Sequence, residues 1–185
     1  MHEVSIGTQA YDPHTVHRRT TPCFPCTAMK IPMSLTVFAL TVFGLVISPT
    51  HTEAQLTMEQ AQTAVDAAEV EARANGWDLT IYVTDAEGVP VYLRRMDGAS
   101  PRTTDIVMRK VHVVITTGEA TVVYGQALAA GTTDTIPGGI HYEGGLPIFM
   151  NGEMVGAMAA SGARGSEDAQ AVRAGLAAIG ATAQR

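Results

Sequence analysis

The sequence predicts an α+β protein with an antiparallel sheet flanked by helices. Two pairs of short apolar runs, each joined by a turn, indicate two β-hairpins, and helical patterns stand in blocks around them. Strands paired as hairpins with helices in blocks are typical of an antiparallel α+β arrangement, not of a doubly wound parallel sheet. The strongest signal is Asn151-Gly152, because this dipeptide supplies two residues of positive φ for a type I′ turn.

The first half of the domain contains one helix and one hairpin. Thr57 and Gln60 form a capping box, and apolar residues follow at helical spacing until Asn75-Gly76. Within residues 79–96, apolar and polar side chains alternate on either side of a polar turn, which predicts the first hairpin. Pro90 cannot donate a ladder hydrogen bond, so the return strand is expected to begin at a sheet edge.

The second half contains three more helices around the second hairpin. A serine–proline start signal predicts a helix over 100–118, and a shorter one is predicted over 120–128. The last helix follows the turn 161–166, with Glu167 and Asp168 in its first turn. All three are expected to pack on the sheet.

Composition narrows the class of protein. The chain of 185 residues is long enough for one domain plus a targeting segment, and a hydrophobic fraction of 46% is enough to form a core. The formal net charge is −6. No basic run stands out, which argues against a nucleic-acid partner. Both cysteines, Cys23 and Cys26, lie far upstream, so residues 55–185 hold neither a disulfide framework nor a thiol nucleophile.

Residues 1–54 are interpreted as an upstream segment and a signal peptide. The uncharged apolar run 35–47 has the length of a signal-peptide core, and small residues precede a predicted cleavage after Ala54. Met29 is the predicted start. The domain 55–185 is therefore expected to be extracytoplasmic, periplasmic or secreted, with no stable membrane span after processing. An uncleaved amino-terminal anchor is the alternative.

Two features near the second hairpin indicate a binding site. Paired glycines at 138–139 and 144–145 bracket His141, Tyr142 and Glu143, so an imidazole, a phenol and a carboxylate are presented on one loop. The small residues within 156–160 leave one face of the second strand of this hairpin with little side-chain bulk. Another backbone or a flat ligand is expected to lie close to that face.

The chain from Leu56 to about Gly180 resembles the GlcG/HbpS-like family, which is associated with haem binding or degradation. The resemblance is carried by 67–77, by the hairpin end 95–99, by Arg109-Lys110, and by 144–148, 152–156 and Ser161-Gly162. It implies a profilin-like antiparallel sheet of about five strands, frequent homo-oligomers, and haem binding in some extracytoplasmic members. Where the family often reads Lys-Ala-x-Thr-Ala, this chain has the bulkier segment 110–116, which carries a histidine.

The side-chain inventory suits haem better than zinc. Residues 55–185 contain two histidines and no cysteine, too few nitrogen and sulfur ligands for a closed tetrahedral zinc site. Haem needs one or two axial donors and cations for its propionates. His141 is the predicted metal ligand, and the other cofactor-binding candidates are Tyr142, His112, Lys110, Arg109 and Arg164.

Each candidate also has an ordinary structural interpretation. His112 fits a partly buried helical histidine bonded to a carbonyl, and His141 fits a solvent-exposed loop residue. Arg109-Lys110 fits the solvated face of a helix. The turn 161–166, with Arg164, fits either an anion site at a helix start or a plain helix entry capped by Ser166.

Two functions follow, with a purely structural or partner-docking module as a third interpretation, and all three stay open at this point. The first is an extracytoplasmic, homo-oligomeric binding protein for haem or a similar flat cofactor, used in capture, storage or sensing. The second is a small-molecule catabolic enzyme that uses His141, Tyr142 and Glu143 as acid or base.

Overall fold

A computed structural model describes residues 55–185, so the predicted start at Met29 and the cleavage after Ala54 lie outside the described residues. The predicted α+β antiparallel class is confirmed. The elements are α1 (Met58–Ala74), β1 (Thr80–Asp85), β2 (Pro90–Arg95), α2 (Arg102–Thr117), α3 (Thr121–Ala129), β3 (Gly145–Met150), β4 (Glu153–Ser161) and α4 (Gly165–Ala178).

The described sheet has four strands in the order β2-β1-β4-β3, all antiparallel. This corrects the expectation of about five strands. The tail after α4 adds only an isolated bridge, in which Phe149 and Thr182 exchange two backbone hydrogen bonds of 2.9 and 3.0 Å. Pro147, two residues earlier on β3, has no N–H to extend that pairing.

The local turn signals are borne out. Asn151 and Gly152 both have positive φ, 52° and 82°, and join β3 to β4. Pro90 begins the edge strand β2 and lies opposite Thr84 at a register shift. The capping box of α1 is present, with the Gln60 N–H donating to Oγ1 of Thr57 at 3.2 Å.

Helices cover both faces of the sheet. On one face, α1 and α4 pack over residues such as Ile81, Ile148 and Met158. On the other face, α2 places three valines over β4. The members of this second cluster are Tyr82, Val107, Val111, Val114, Ala157 and Ala159.

The small residues of β4 serve this helix packing. Ala157 and Ala159 are fully buried beneath α2. A Cβ on Gly156, facing the other side, would lie 2.2 Å from the carbonyl oxygen of Thr84. Of the two alternatives expected for this strand, the close approach of another backbone is confirmed and a flat ligand is wrong, because the chain's own helix and neighbouring backbone occupy both faces.

Candidate functional site

His141 and Tyr142 lie side by side on the segment that leads from α3 into the start of β3, here called the His141 loop (residues 138–145). Both are exposed, and Tyr142 has 58% of its surface accessible. The two rings meet edge to face, with centroids 5.3 Å apart and an interplanar angle of 64°. The loop backbone packs closely on α3, since a Cβ on Gly125 would lie 3.0 Å from the His141 carbonyl oxygen. An imidazole and a phenol are thus presented outward from a supported backbone.

Arg109 of α2 fixes the start of the His141 loop. Its Nε donates to the carbonyl oxygen of Gly138 at 2.8 Å, and a terminal nitrogen reaches Gly139 at 3.5 Å. Asp105, one turn earlier on the same helix, lies 3.7 Å from the guanidinium. Sequence reasoning predicted Arg109 as a partner for ligand carboxylates, and the structure shows it as an anchor of this loop.

Lys110 is not on a solvated face, and that interpretation is wrong. Its side chain is 1% exposed, and Nζ donates to Oδ2 of Asp168 at 2.9 Å and to the Ala160 carbonyl oxygen at 2.8 Å. The reason is helical periodicity, because Lys110 lies on the same stripe of α2 as Val107 and Val114. Its ammonium is therefore held inside the domain, beneath the His141 loop.

Burial perturbs both members of this pair. It raises the pKa of Asp168, opposed by the charge of Lys110 and by the Ala163 N–H that donates to Oδ1 at 3.0 Å. Burial likewise lowers the pKa of Lys110, opposed by the charge of Asp168 and more weakly by that of Glu143. Each group depends on its partner to stay charged.

His112 lies elsewhere on α2, exposed on its outer face. The interpretation as a partly buried histidine is wrong. His112 borders a small cavity of about 240 Å³ between α2 and the β1–β2 hairpin, together with Tyr82 and Met108. The structure does not place it in the His141 loop.

Arg164 is exposed at the start of α4, where it is the N-cap residue. Its backbone N–H donates to a carboxylate oxygen of Glu167 at 3.0 Å. The expectation that Ser166 caps this helix is wrong, because α4 begins at Gly165 and Ser166 lies within it. Arg164 borders a cleft of about 520 Å³ with Asp78 and Ser100, a different cavity from that of His112.

Two residues of the site were missed by sequence reasoning. Asp168 was assigned only to the first turn of α4, although its spacing to Val172 and Gly175 places it on the buried stripe. Thr121, at the start of α3, accepts a hydrogen bond of 3.1 Å from the Gly145 N–H. No sequence signal indicates that contact, since it joins residues 24 positions apart.

Neither a clustered metal site nor a membrane helix occurs in the described part of the chain. Within residues 55–185, His, Cys, Asp and Glu side chains do not gather in threes around a point that would hold a metal ion. None of the helices from α1 to α4 is long and apolar enough to cross a bilayer.

Comparisons with known proteins agree with this architecture. A family model described as "Haem degrading protein HbpS-like" matches residues 56–177. Protein GlcG of Escherichia coli K12 is 31% identical over 112 residues, which cover 60% of this chain and 84% of GlcG.

Solved structures share the fold. A double mutant of HbpS from Streptomyces reticuli is 31% identical, with a TM-score of 0.63, and the match covers 79% of this chain and 97% of that one. A structure described as a PduOC:heme complex has a TM-score of 0.67 at 17% identity, covering 71% of this chain and all of that chain. The second likeness concerns the fold alone.

Proposed function

Because the chain belongs to the HbpS-like family of haem-degrading proteins, we propose that it binds haem or a similar flat cofactor at the His141 loop. His141 is the proposed axial ligand, with Tyr142 beside it. An imidazole nitrogen bound to the haem iron is one of the ordinary protein ligations of haem.

One observation carries this assignment to the loop. His141 and Tyr142 are adjacent, exposed and in ring contact, on a backbone held by Arg109 on one side and Thr121 on the other. Within residues 55–185, no other side chain hydrogen-bonds to the His141 imidazole. A nitrogen donor that is exposed and supported in this way fits a ligand that arrives from outside the domain.

The cofactor is proposed to lie over the outer surface of the loop, since α2 covers the small-residue face of β4. Arg109 hydrogen-bonds to the backbone of this loop, and its side chain remains 44% exposed. It is the proposed partner for a carboxylate of the ligand. Lys110 has no free ammonium to offer, because both its contacts are internal.

Hemin titration tests the assignment. Addition of hemin to the purified protein is expected to give a sharp Soret band that saturates at a fixed stoichiometry. His141→Ala is expected to shift that band and to weaken binding by about tenfold or more, at least about 1.4 kcal/mol. His112→Ala is the matched control, because His112 is the other histidine of residues 55–185 and is also exposed.

Two results would count against the proposal. Absence of a saturable Soret change in the parent protein removes haem as the ligand. Loss of binding in His112→Ala with full binding in His141→Ala moves the site to α2.

We also propose that the protein works outside the cytoplasm as a homo-oligomer, in haem capture, storage or sensing. The signal-peptide pattern of 35–47 and the family's frequent oligomers support this. The mature chain is expected to begin at Gln55 and to sediment at a multiple of its own mass. Amino-terminal sequencing of material from the extracytoplasmic fraction, followed by analytical ultracentrifugation, checks both statements. An intact amino terminus, or a monomer, would contradict the corresponding statement.

A further inference from the structure

The ion pair between Lys110 and Asp168 is buried beneath the His141 loop, and its position indicates a role besides stability. It joins α2 to α4 through side chains that are 1% and 3% exposed. Burying two opposite charges contributes little net stability, because their desolvation offsets most of their attraction. Its contacts suggest another role, since they converge on the His141 loop.

Lys110 supports the loop through Ala160. The Lys110 ammonium donates to the carbonyl oxygen of Ala160 at 2.8 Å, while the N–H of Ala160 donates to the carbonyl oxygen of Gly144 at 2.9 Å. One residue of β4 thus bonds to the ion pair on one side and to the loop on the other.

Gly144 also rests directly on the pair. A Cβ at this position would lie 2.6 Å from Lys110 Nζ and 2.6 Å from the Asp168 Cβ, and its φ of +118° favours glycine. A side chain at 144 would therefore displace either the loop or the pair.

Asp168 holds a second element that packs against the His141 loop, the turn before α4. Its Oδ1 accepts from the Ala163 N–H at 3.0 Å, which fixes the turn before α4. At the end of that turn, a Cβ on Gly165 would lie 2.9 Å from the Cβ of Glu143. Glu143 and Gly144 are thus packed against groups that the ion pair holds in place. Two further charges act on the pair, Glu143 on Lys110 and Glu167 on Asp168.

We propose that Lys110 and Asp168 are positioning residues for the His141 loop, and that their ion pair sets the geometry in which His141 and Tyr142 meet a ligand. This inference rests on the proposed haem-binding function for its ligand. The pair acts through Gly144 and Ala160 and does not itself touch the ligand.

A neutral double variant separates positioning from stability. Lys110→Met/Asp168→Leu removes both charges and keeps similar volumes, a replacement that folded proteins often tolerate. The variant is expected to fold, with faster amide hydrogen exchange, by about tenfold or more, at Ala160 and Gly145. Hemin affinity is expected to fall by about tenfold or more, and the Soret band is expected to move in the same direction in this variant as in His141→Ala. Arg94→Leu, which removes a cation paired with Glu69 on α1, is the control and leaves all three readouts unchanged.

A second variant applies if the double variant does not fold. Gly144→Ala leaves both charges in place but inserts a methyl group against them, whereas Gly131→Ala is matched in positive φ and meets open space. We expect only Gly144→Ala to weaken hemin binding and to displace the band. Parental exchange rates and hemin affinity in the neutral double variant, or parental hemin binding by Gly144→Ala, would overturn the positioning role. If the parent protein binds no hemin, the proposed function fails, and the exchange rates at Ala160 and Gly145 still decide the positioning role.

Discussion

Lys110→Met is expected to lower the free energy of unfolding by about 3–5 kcal/mol, the usual cost of removing one partner from a buried ion pair. Methionine fills the space of the lysine stem but offers no donor. The Asp168 carboxylate then stays buried with only the Ala163 N–H, and the Ala160 carbonyl oxygen loses its bond from the ammonium. Urea denaturation followed by circular dichroism measures the loss. Arg73→Met is the control, because Arg73 forms an exposed i,i+4 pair with Glu69 and such pairs contribute about 0–1 kcal/mol.

The pH dependence of stability identifies charge burial as the cause. Burial already raises the pKa of Asp168 above its ordinary value of 3.8 in the parent, and Lys110→Met removes the charge that opposes this shift, so the pKa rises further than in the parent. As pH falls from neutral toward 3.8, the folded chain binds a proton before the unfolded chain does, so stability rises relative to the parent. Burial likewise already lowers the pKa of Lys110 below its ordinary 10.5 in the parent, and Asp168→Asn removes the charge that opposes this shift, so the pKa falls further than in the parent. As pH rises toward 10.5, the folded chain releases its proton first, and stability again recovers.

The two variants should therefore regain stability at opposite ends of the pH scale. Denaturation curves collected from pH 4 to pH 10, each referred to the parent protein at the same pH, give the comparison. Flat profiles, or two profiles of the same slope, would show that lost packing rather than an unpaired charge destabilises the variants.

The β3–β4 turn and the Lys110–Asp168 pair show which features could be predicted from the sequence and which could not. The β3–β4 turn at Asn151-Gly152 was predictable because its conformation depends on two adjacent residues. The burial of Lys110 was also encoded locally, in its spacing to Val107 and Val114, although the neighbouring Arg109 suggested a solvated face. The identity of its partner was not encoded locally, because Asp168 lies 58 residues away and contacts Lys110 only in the folded chain.

The face of β4 illustrates the same limit. Its run of glycine and alanine indicates that something approaches closely, and this much was correct. A short side chain does not specify what approaches, however, and the three valines of α2 fill the space expected for a ligand. The site proposed at His141 therefore depends on how the loop is held from beneath, by Lys110 and Ala160, and not on a slot under the sheet.

Gly162→Ala is expected to lower the free energy of unfolding by about 2–5 kcal/mol, from backbone strain and overpacking together. Gly162 has a φ of +149°, and a Cβ there would lie 2.1 Å from the carbonyl oxygen of Asp78. Both residues adjoin the centre of the sheet, because Thr80 of β1 pairs with Ser161 of β4. Neither backbone can retreat without disturbing that pairing.

Gly76→Ala and Gly180→Ala are the controls for left-handed backbone alone, since their φ values of +72° and +67° lie in the αL region and the space around the missing Cβ is open. They should show only the cost of left-handed backbone, about 1–2 kcal/mol. Urea midpoints at an unchanged m-value give the three losses on one scale. A loss in Gly162→Ala no larger than in the controls would mean that the Asp78 backbone yields easily. The expected excess, measured without any ligand, would instead assign this glycine to its strained backbone and to close packing against Asp78. This strain and packing would then explain the glycine at position 162 in the turn before α4. An anion bound at that turn would not be needed to explain it.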